Sequence, residues 1–149
     1  MQHRTAEEQQ RVLTILSVSI TAALGGFLFG YDTAVINGAV SAIEATFQTS
    51  PSQLGLTVSS ALLGSAAGAL GAGWLADRFG RRPSMVLAAA LFIISAVGSA
   101  LAPRLVDLVV WRVLGGVAVG FASVLAPAYI AEISPAAMRG RTGSLQQLA

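Results

Sequence analysis

Two apolar runs of this chain are separated by the charged segment Ala76-Asp77-Arg78-Phe79-Gly80-Arg81-Arg82-Pro83. The run before it, Leu54 to Leu75, has 22 residues, the run from Pro83 to Ala102 has 20, and neither contains a charged side chain. A helix of about 20 apolar residues crosses the hydrocarbon core of a bilayer. The pattern therefore predicts two membrane helices joined by a tight turn, in which Gly80 permits the reversal and the charged side chains lie at the water interface.

The composition of the whole chain agrees with a membrane location. Charged residues make up 11% of the chain and apolar residues 54%, whereas a soluble domain has about 25% charged residues. The excess apolar surface must face lipid, which predicts an all-α integral membrane protein with the bilayer as a partner. No cysteine is present and the single histidine, His3, lies in a polar tail, so no metal, cofactor or enzymatic chemistry is expected. The basic residues are dispersed at helix ends rather than gathered on one face, which excludes a nucleic-acid partner.

Hydropathy divides the chain into a polar tail over residues 1–11 and a membrane part over residues 12–149. The predicted membrane part contains helix one at Val12–Val40, a connection at Ser41–Gln53, helix two at Leu54–Leu75, helix three from Pro83, helix four at Leu105–Ile130, a connection at Ala131–Arg141 and the first turns of helix five from Thr142. The chain is thus expected to be a fragment that stops just inside a fifth helix. A shortened chain that is itself the gene product is the alternative.

The arginines predict the orientation in the membrane. If four spans alternate, seven arginines fall on one side and only Arg104 falls on the other. The seven are Arg4, Arg11, Arg78, Arg81, Arg82, Arg139 and Arg141. Positive residues accumulate in cytoplasmic loops, so the amino terminus is expected in the cytoplasm.

Two glycine patterns concern helix packing. Gly64 and Gly68 form a G-x-x-x-G pair, which predicts close approach of helix two to a neighbour. The segment Leu24-Gly25-Gly26-x-x-x-Gly30-Tyr31 matches Leu114-Gly115-Gly116-x-x-x-Gly120-Phe121. Because helices one and four cross in opposite directions, this match predicts an inverted three-helix repeat, as in secondary transporters. Chance similarity between glycine-rich helices is the alternative.

Asp32 in helix one and Arg112 in helix four are ionisable residues inside predicted spans. Each costs about 2.5–3.5 kcal/mol at a helix centre on insertion scales, so each is expected to face a partner or a water-filled cavity. Arg112 lies roughly 10 Å below the outer end of helix four at 1.5 Å per residue, a depth compatible with pairing to Asp32 if helix one continues beyond Tyr31. Asp32 then either gains and loses a proton next to Arg112, or forms a permanent structural ion pair with it.

The cytoplasmic connections carry acids as well as arginines. Asp77, Arg78, Glu132 and Arg139 are expected to form a charge network at the inner surface, which would act as a gate if it broke in one conformation. Solvated positive flanks are the alternative, and they explain the arginines but not the two acids.

Four sequence segments carry a resemblance to a known family. They are Gly73-Trp74-Leu75-Ala76-Asp77-Arg78-Phe79-Gly80-Arg81-Arg82, Phe29-Gly30-Tyr31-Asp32-Thr33-Ala34-Val35-Ile36-Asn37-Gly38, and Arg112-x-x-Gly115-Gly116 with Pro127-x-Tyr129-x-x-Glu132-x-x-Pro135-x-x-x-Arg139-Gly140. Together they resemble the sugar porter family of the major facilitator superfamily, over nearly all of the chain after the tail.

The resemblance implies a twelve-helix protein of two six-helix halves, with inverted three-helix repeats and the sugar held between the halves. The C-terminal half, absent from this sequence, is then a required partner. Asp32 and Arg112 match the proton-coupling pair, Phe29 matches an aromatic of the cavity wall, and Gln147 matches an amide that hydrogen-bonds sugar hydroxyls. The matching cytoplasmic gate comprises Asp77, Arg78, Arg81, Glu132, Arg139 and Arg141.

The implied function is transport of a monosaccharide with a proton, by alternating access, across a bacterial inner or plasma membrane. A neutral amide such as Gln147 suits an uncharged sugar because it both donates and accepts hydrogen bonds. A passive sugar facilitator is one alternative, in which Asp32 and Arg112 are structural. A sugar sensor that keeps the fold without transporting is the other.

Overall fold

The computed structural model describes residues 13, 27, 30, 31 and 33–133, and every regular element among them is an α-helix. The described helical residues 30, 31 and 33–47 belong to α1, which is followed by α2 (Pro51–Phe79), α3 (Arg81–Ala100) and α4 (Leu105–Ile133). Pro51–Phe79, Arg81–Ala100 and Leu105–Tyr129 are long and apolar enough to cross a membrane. The predicted all-α membrane fold is therefore confirmed.

The outer connection is shorter than predicted. α1 continues to Phe47, seven residues beyond the predicted end at Val40, so the connection to α2 consists of residues 48–50 rather than 41–53. The helix persists because its apolar face persists: Ile36 and Ile43 are buried in one cluster with Leu108 of α4.

α2 begins at a capping box. The Ser50 hydroxyl accepts a hydrogen bond from the backbone N–H of Gln53, whose side chain accepts one from the Ser50 N–H, and Pro51 is the first helical residue. These contacts satisfy backbone donors that have no partner within the helix. The turn signal at residues 49–52 therefore marks the start of α2 rather than the middle of a loop.

The inner turn between α2 and α3 is a single residue, Gly80. Its φ of 87° and ψ of 161° lie in a region that is open almost only to glycine. Asp77 and Arg78 are in the last turn of α2, and Arg81 rather than Pro83 begins α3. The turn was predicted at the correct position but with too many residues. Hydropathy marks the edge of the membrane and not the end of a helix.

α4 packs against both α2 and α3. The α carbons of Gly64 and Gly68 lie against the backbone carbonyls of Val113 and Val117, so that an added Cβ would overlap them. In return Gly116 lies against the carbonyl of Ala61. The close approach predicted from the G-x-x-x-G pair is confirmed, and α4 is the helix that α2 approaches.

The inner end of α4 also differs from the prediction. The helix continues through Pro127 to Ile133 instead of ending at Ile130, so Glu132 is helical. A proline is tolerated inside a membrane helix where neighbouring groups satisfy the freed carbonyl. The predicted fifth helix from Thr142 and the Leu24-Gly25-Gly26 part of the repeat lie outside the described residues.

Candidate functional site

Arg112 is the charged residue that α4 buries, with 8% of its surface exposed. It lies one helical turn beyond Leu108, and residues four apart share a helix face. Leu108 belongs to the apolar cluster that contains Ile36 and Ile43 of α1. Arg112 therefore lies on the face that α4 turns toward α1, one turn further from the outer surface.

α1 does not end at Tyr31. The residues on both sides of position 32, Tyr31 and Thr33, are helical, and the helix continues over 33–47. The helix therefore continues past Tyr31, as the prediction for Asp32 requires. Asp32 itself and Phe29, the two predicted site residues of α1, lie outside the described residues.

The backbone around Arg112 is fixed by contacts from two helices. The Ser95 hydroxyl of α3 donates a hydrogen bond to the Trp111 carbonyl at 2.5 Å, and the Trp111 ring lies on Gly98. On the side of α2, Gly64 lies against the carbonyl of Val113. The peptide units before and after Arg112 are therefore both in tight contact with neighbouring helices.

Near the turn at Gly80, the structure joins two residues of the predicted gate. Arg81 Nη2 lies 3.0 Å from Glu132 Oε1, and Arg81 Nε donates a hydrogen bond to the same oxygen at 3.1 Å. Arg81 is the first residue of α3 and Glu132 is in the last turn of α4, so the pair ties the inner ends of these two helices together. The side chains are 33% and 52% exposed.

The structure does not bring Asp77 or Arg78 into this pair. The Arg78 guanidinium lies over the rings of Trp74 and Phe79, 5.8 and 5.9 Å from their centroids. Asp77 is exposed, and within residues 33–133 it forms no ion pair. The other predicted gate residues, Arg139 and Arg141, and the predicted sugar ligand Gln147 lie outside the described part of the chain.

Two buried serines were missed by reading the sequence. Ser84 is 1% exposed and its hydroxyl donates to the carbonyls of Gly80 at 2.7 Å and Leu75 at 3.2 Å, across the turn between α2 and α3. Ser95 is 5% exposed and binds Trp111 as described. No sequence signal identifies them, because their acceptors are backbone carbonyls that only packing brings near.

The described part of the chain thus has the features of a membrane transporter: tightly packed apolar helices, a buried arginine and an ion pair across the inner helix ends. Comparison with known proteins gives the family. The model of the family described as sugar (and other) transporter matches residues 18–149. The chain belongs to that family, whose matched relatives are named as transporters rather than enzymes.

Individual relatives are similar over nearly the whole chain. A glucose transport protein of Synechocystis is 60% identical over 144 residues, which are 97% of this chain and 31% of the relative. The D-xylose-proton symporter of Escherichia coli is 42% identical over 161 residues, covering 91% of this chain and 33% of the symporter. The inward-open structure of the E. coli xylose transporter matches with a TM-score of 0.82 at 43% identity, covering 89% of this chain and 36% of that one. The chain spans about a third of the length of these relatives.

Proposed function

We propose that this chain is part of a carrier that moves a monosaccharide and a proton together across the membrane by alternating access. It supplies a tail over residues 1–11 and, over 12–149, helices one to four and the start of helix five in the N-terminal half of a twelve-helix protein. The amino terminus lies in the cytoplasm, and the membrane is a bacterial inner or plasma membrane. The proton and the sugar are the small-molecule partners.

The observation that carries the proposal is the place of Arg112. The cluster of Ile36, Ile43 and Leu108 joins the carboxyl end of α1 to the amino end of α4, so the two helices run in opposite directions. By helical periodicity, we expect position 32 one turn along α1 from Ile36, at the depth at which Arg112 follows Leu108 by one turn along α4. Helical periodicity therefore supports a proton-coupling pair of Asp32 and Arg112 at one depth.

The sequence and the relatives support proton coupling independently of this geometry. Asp32 is the single acidic residue between positions 12 and 40, and an acid inside a membrane span is a functional group by default. The 42% identical relative is named as a proton symporter. We therefore assign the gain and loss of the proton to Asp32, with Arg112 as its positively charged partner.

The sugar is proposed to lie against Phe29 and Gln147, with the C-terminal half of the transporter closing the cavity. An uncharged polyol needs neutral donors and acceptors and an apolar wall, which an amide and a phenyl ring provide. The inner gate is assigned to Asp77, Arg78, Arg81, Glu132, Arg139 and Arg141. The ion pair between Arg81 and Glu132 supports this assignment, because it joins a basic and an acidic member of the set across the ends of two different helices.

The test is sugar-driven proton movement in de-energised cells that lack other sugar carriers and express the full-length protein. External pH is recorded while pentoses and hexoses are added one at a time to cells with the native protein or Asp32→Asn. Alkalinisation by one sugar, lost in Asp32→Asn while sugar exchange persists, is the expected result. Asp107→Asn is the matched control, because Asp107 is in the first turn of α4 rather than inside the span.

Uptake of a sugar without any pH change in the native protein would contradict coupling and identify a passive facilitator. Specific binding of a sugar without uptake or exchange would identify a sensor. The panel also determines whether the substrate is a pentose or a hexose.

A further inference from the structure

The contact between α3 and α4 around Trp111 has four members, which we call the serine–tryptophan contact: Ser95 and Gly98 on α3, and Trp111 and Gly115 on α4. An added Cβ at Gly98 would overlap three atoms of the Trp111 ring, and one at Gly115 would overlap the Ser95 hydroxyl. The Ser95 side chain of α3 thus packs against Gly115 of α4, and the Trp111 side chain of α4 packs against Gly98 of α3. Such a contact fixes both the rotation and the depth of α4 relative to α3, because sliding either helix would drive a side chain into backbone.

The hydrogen bond within this contact acts on the peptide unit that precedes Arg112. The carbonyl that receives the Ser95 hydroxyl belongs to the bond linking Trp111 to Arg112. On the opposite side of α4, the carbonyl of Val113 lies against Gly64 of α2. The peptide units on both sides of Arg112 are therefore held from two directions, and its buried side chain shares a helix face with Leu108, which packs against Ile36 and Ile43 of α1.

We infer that Ser95, Gly98 and Trp111 are positioning residues for Arg112, which hold its guanidinium at the depth needed for proton coupling. The inference rests on the proposed role of Arg112 and adds the contacts that hold its charge in place. The attraction between two charges weakens as their separation grows. A small rotation of α4 would move the Arg112 guanidinium away from an acid on α1 and so weaken their attraction. The contacts with α2 hold α4 from one side only, and the serine–tryptophan contact holds it from the side of α3.

The test measures the position of residue 112 directly. The chain has no cysteine, so Arg112→Cys in the full-length protein, with any other cysteines replaced, gives one reactive thiol in this region. Its rate of modification by a cationic methanethiosulfonate is compared with and without Ser95→Ala or Gly98→Ala. We expect Ser95→Ala to change the modification rate by about threefold, the effect of losing an average hydrogen bond between membrane helices. Gly98→Ala should change the modification rate by more than Ser95→Ala does.

Two variants serve as matched controls. Ser59→Ala removes an exposed hydroxyl that bonds to the Gly55 carbonyl at 2.8 Å and more weakly to that of Leu56, both in its own helix. Gly73→Ala adds a methyl group that, among the residues the structure describes, has no contact with another helix within 4 Å. Both should leave the modification rate unchanged. Equal rates in Ser95→Ala, Gly98→Ala and the two controls would overturn the inference. If Gly98→Ala is not inserted into the membrane, Ser95→Ala decides alone, since it removes a single oxygen.

A second measurement separates this inference from the proposed function. With Arg112 intact, Ser95→Ala should lower sugar accumulation driven by a proton gradient while sugar exchange at equal concentrations is retained. A uniform loss of both activities would indicate a merely structural role and contradict the inference. A changed modification rate with unchanged accumulation would support the positioning role and contradict the assignment of Arg112 to proton coupling.

Discussion

At the scale of single residues, the ion pair of Arg81 and Glu132 is proposed to act in gating, although it contributes little to stability. Its side chains are 33% and 52% exposed, and ion pairs with this access to water contribute about 0–1 kcal/mol to folding. A weak pair is suited to a gate, because a strong one would hold the carrier in a single conformation. Its proposed importance is therefore in the balance between conformations.

Charge exchange tests this pair. Glu132→Arg should abolish or strongly reduce transport because it places two guanidinium groups together, and adding Arg81→Glu should restore a substantial part of it. Neither change should shift the free energy of unfolding by more than about 1 kcal/mol. Sugar uptake and thermal unfolding in detergent are the measurements. Glu44→Arg, a reversal at an exposed acid on α1, is the control, and uptake that is equally low in the single and double variants would contradict a gating pair.

The sequence draws attention to charged residues such as Arg112 more readily than to the polar residues packed around them. A buried arginine or an acid at a helix end is conspicuous because charge near a membrane is rare. Ser84 and Ser95 were not predictable, because a serine in an apolar helix looks the same whether it bonds to its own helix, as Ser59 does, or to another. The six predicted gate residues do not reveal which of them pair. That Arg81 pairs with Glu132 became known only from the three-dimensional arrangement of α3 and α4.

At the scale of helices, the close contact between α2 and α4 follows from glycine positions that the sequence displays. Gly68→Ala should destabilise the protein by about 1–3 kcal/mol, because its Cβ would overlap the Val117 backbone, which cannot rotate away. Gly73→Ala on the same helix adds a methyl group that meets no other helix within 4 Å in the described part of the chain. It should be neutral or slightly stabilising, since alanine is the better helix former.

Thermal unfolding of the purified variants in detergent measures this difference, and Gly71→Ala provides an intermediate case. An added Cβ at Gly71 would lie 3.4 Å from a ring atom of Phe121, an ordinary contact that a side chain can accommodate. We therefore expect Gly73→Ala to be the most stable of the three variants, Gly71→Ala to be intermediate and Gly68→Ala to be the least stable. Unfolding of all three at the same temperature would show that the backbone contact between α2 and α4 contributes nothing specific.

Helix ends were predicted less well than helix contacts, for one physical reason. Hydropathy changes where the chain leaves the hydrocarbon core, but a helix continues as long as its backbone bonds and its packing face continue. α1 extends to Phe47 because Ile43 still packs against Leu108, and α2 extends through Asp77 and Arg78 to Gly80, where positive φ ends it. The membrane boundary and the helix boundary are separate properties of the chain.

At the scale of the whole molecule, the arginine distribution predicts which side of the membrane each connection faces. The turn at Gly80 adjoins Arg78, Arg81 and Arg82, whereas the connection at 48–50 has no basic residue. We therefore expect Gln48 outside the cell and Arg82 inside. Both side chains are exposed, so a cysteine at either position should react whenever the reagent reaches that side.

Single-cysteine labelling of intact cells with a membrane-impermeant maleimide tests this orientation in the full-length protein. Gln48→Cys should react from outside, and Arg82→Cys should react only after the membrane is permeabilised. Arg104→Cys, in the exposed connection before α4, should behave like Gln48→Cys, because α2 and α3 together return the chain to the outer side. The reverse pattern would place the pair of Arg81 and Glu132 outside the cell, where it could not serve as a cytoplasmic gate. Labelling of Gln48→Cys and Arg82→Cys from the same side would contradict the crossing of the membrane by α2.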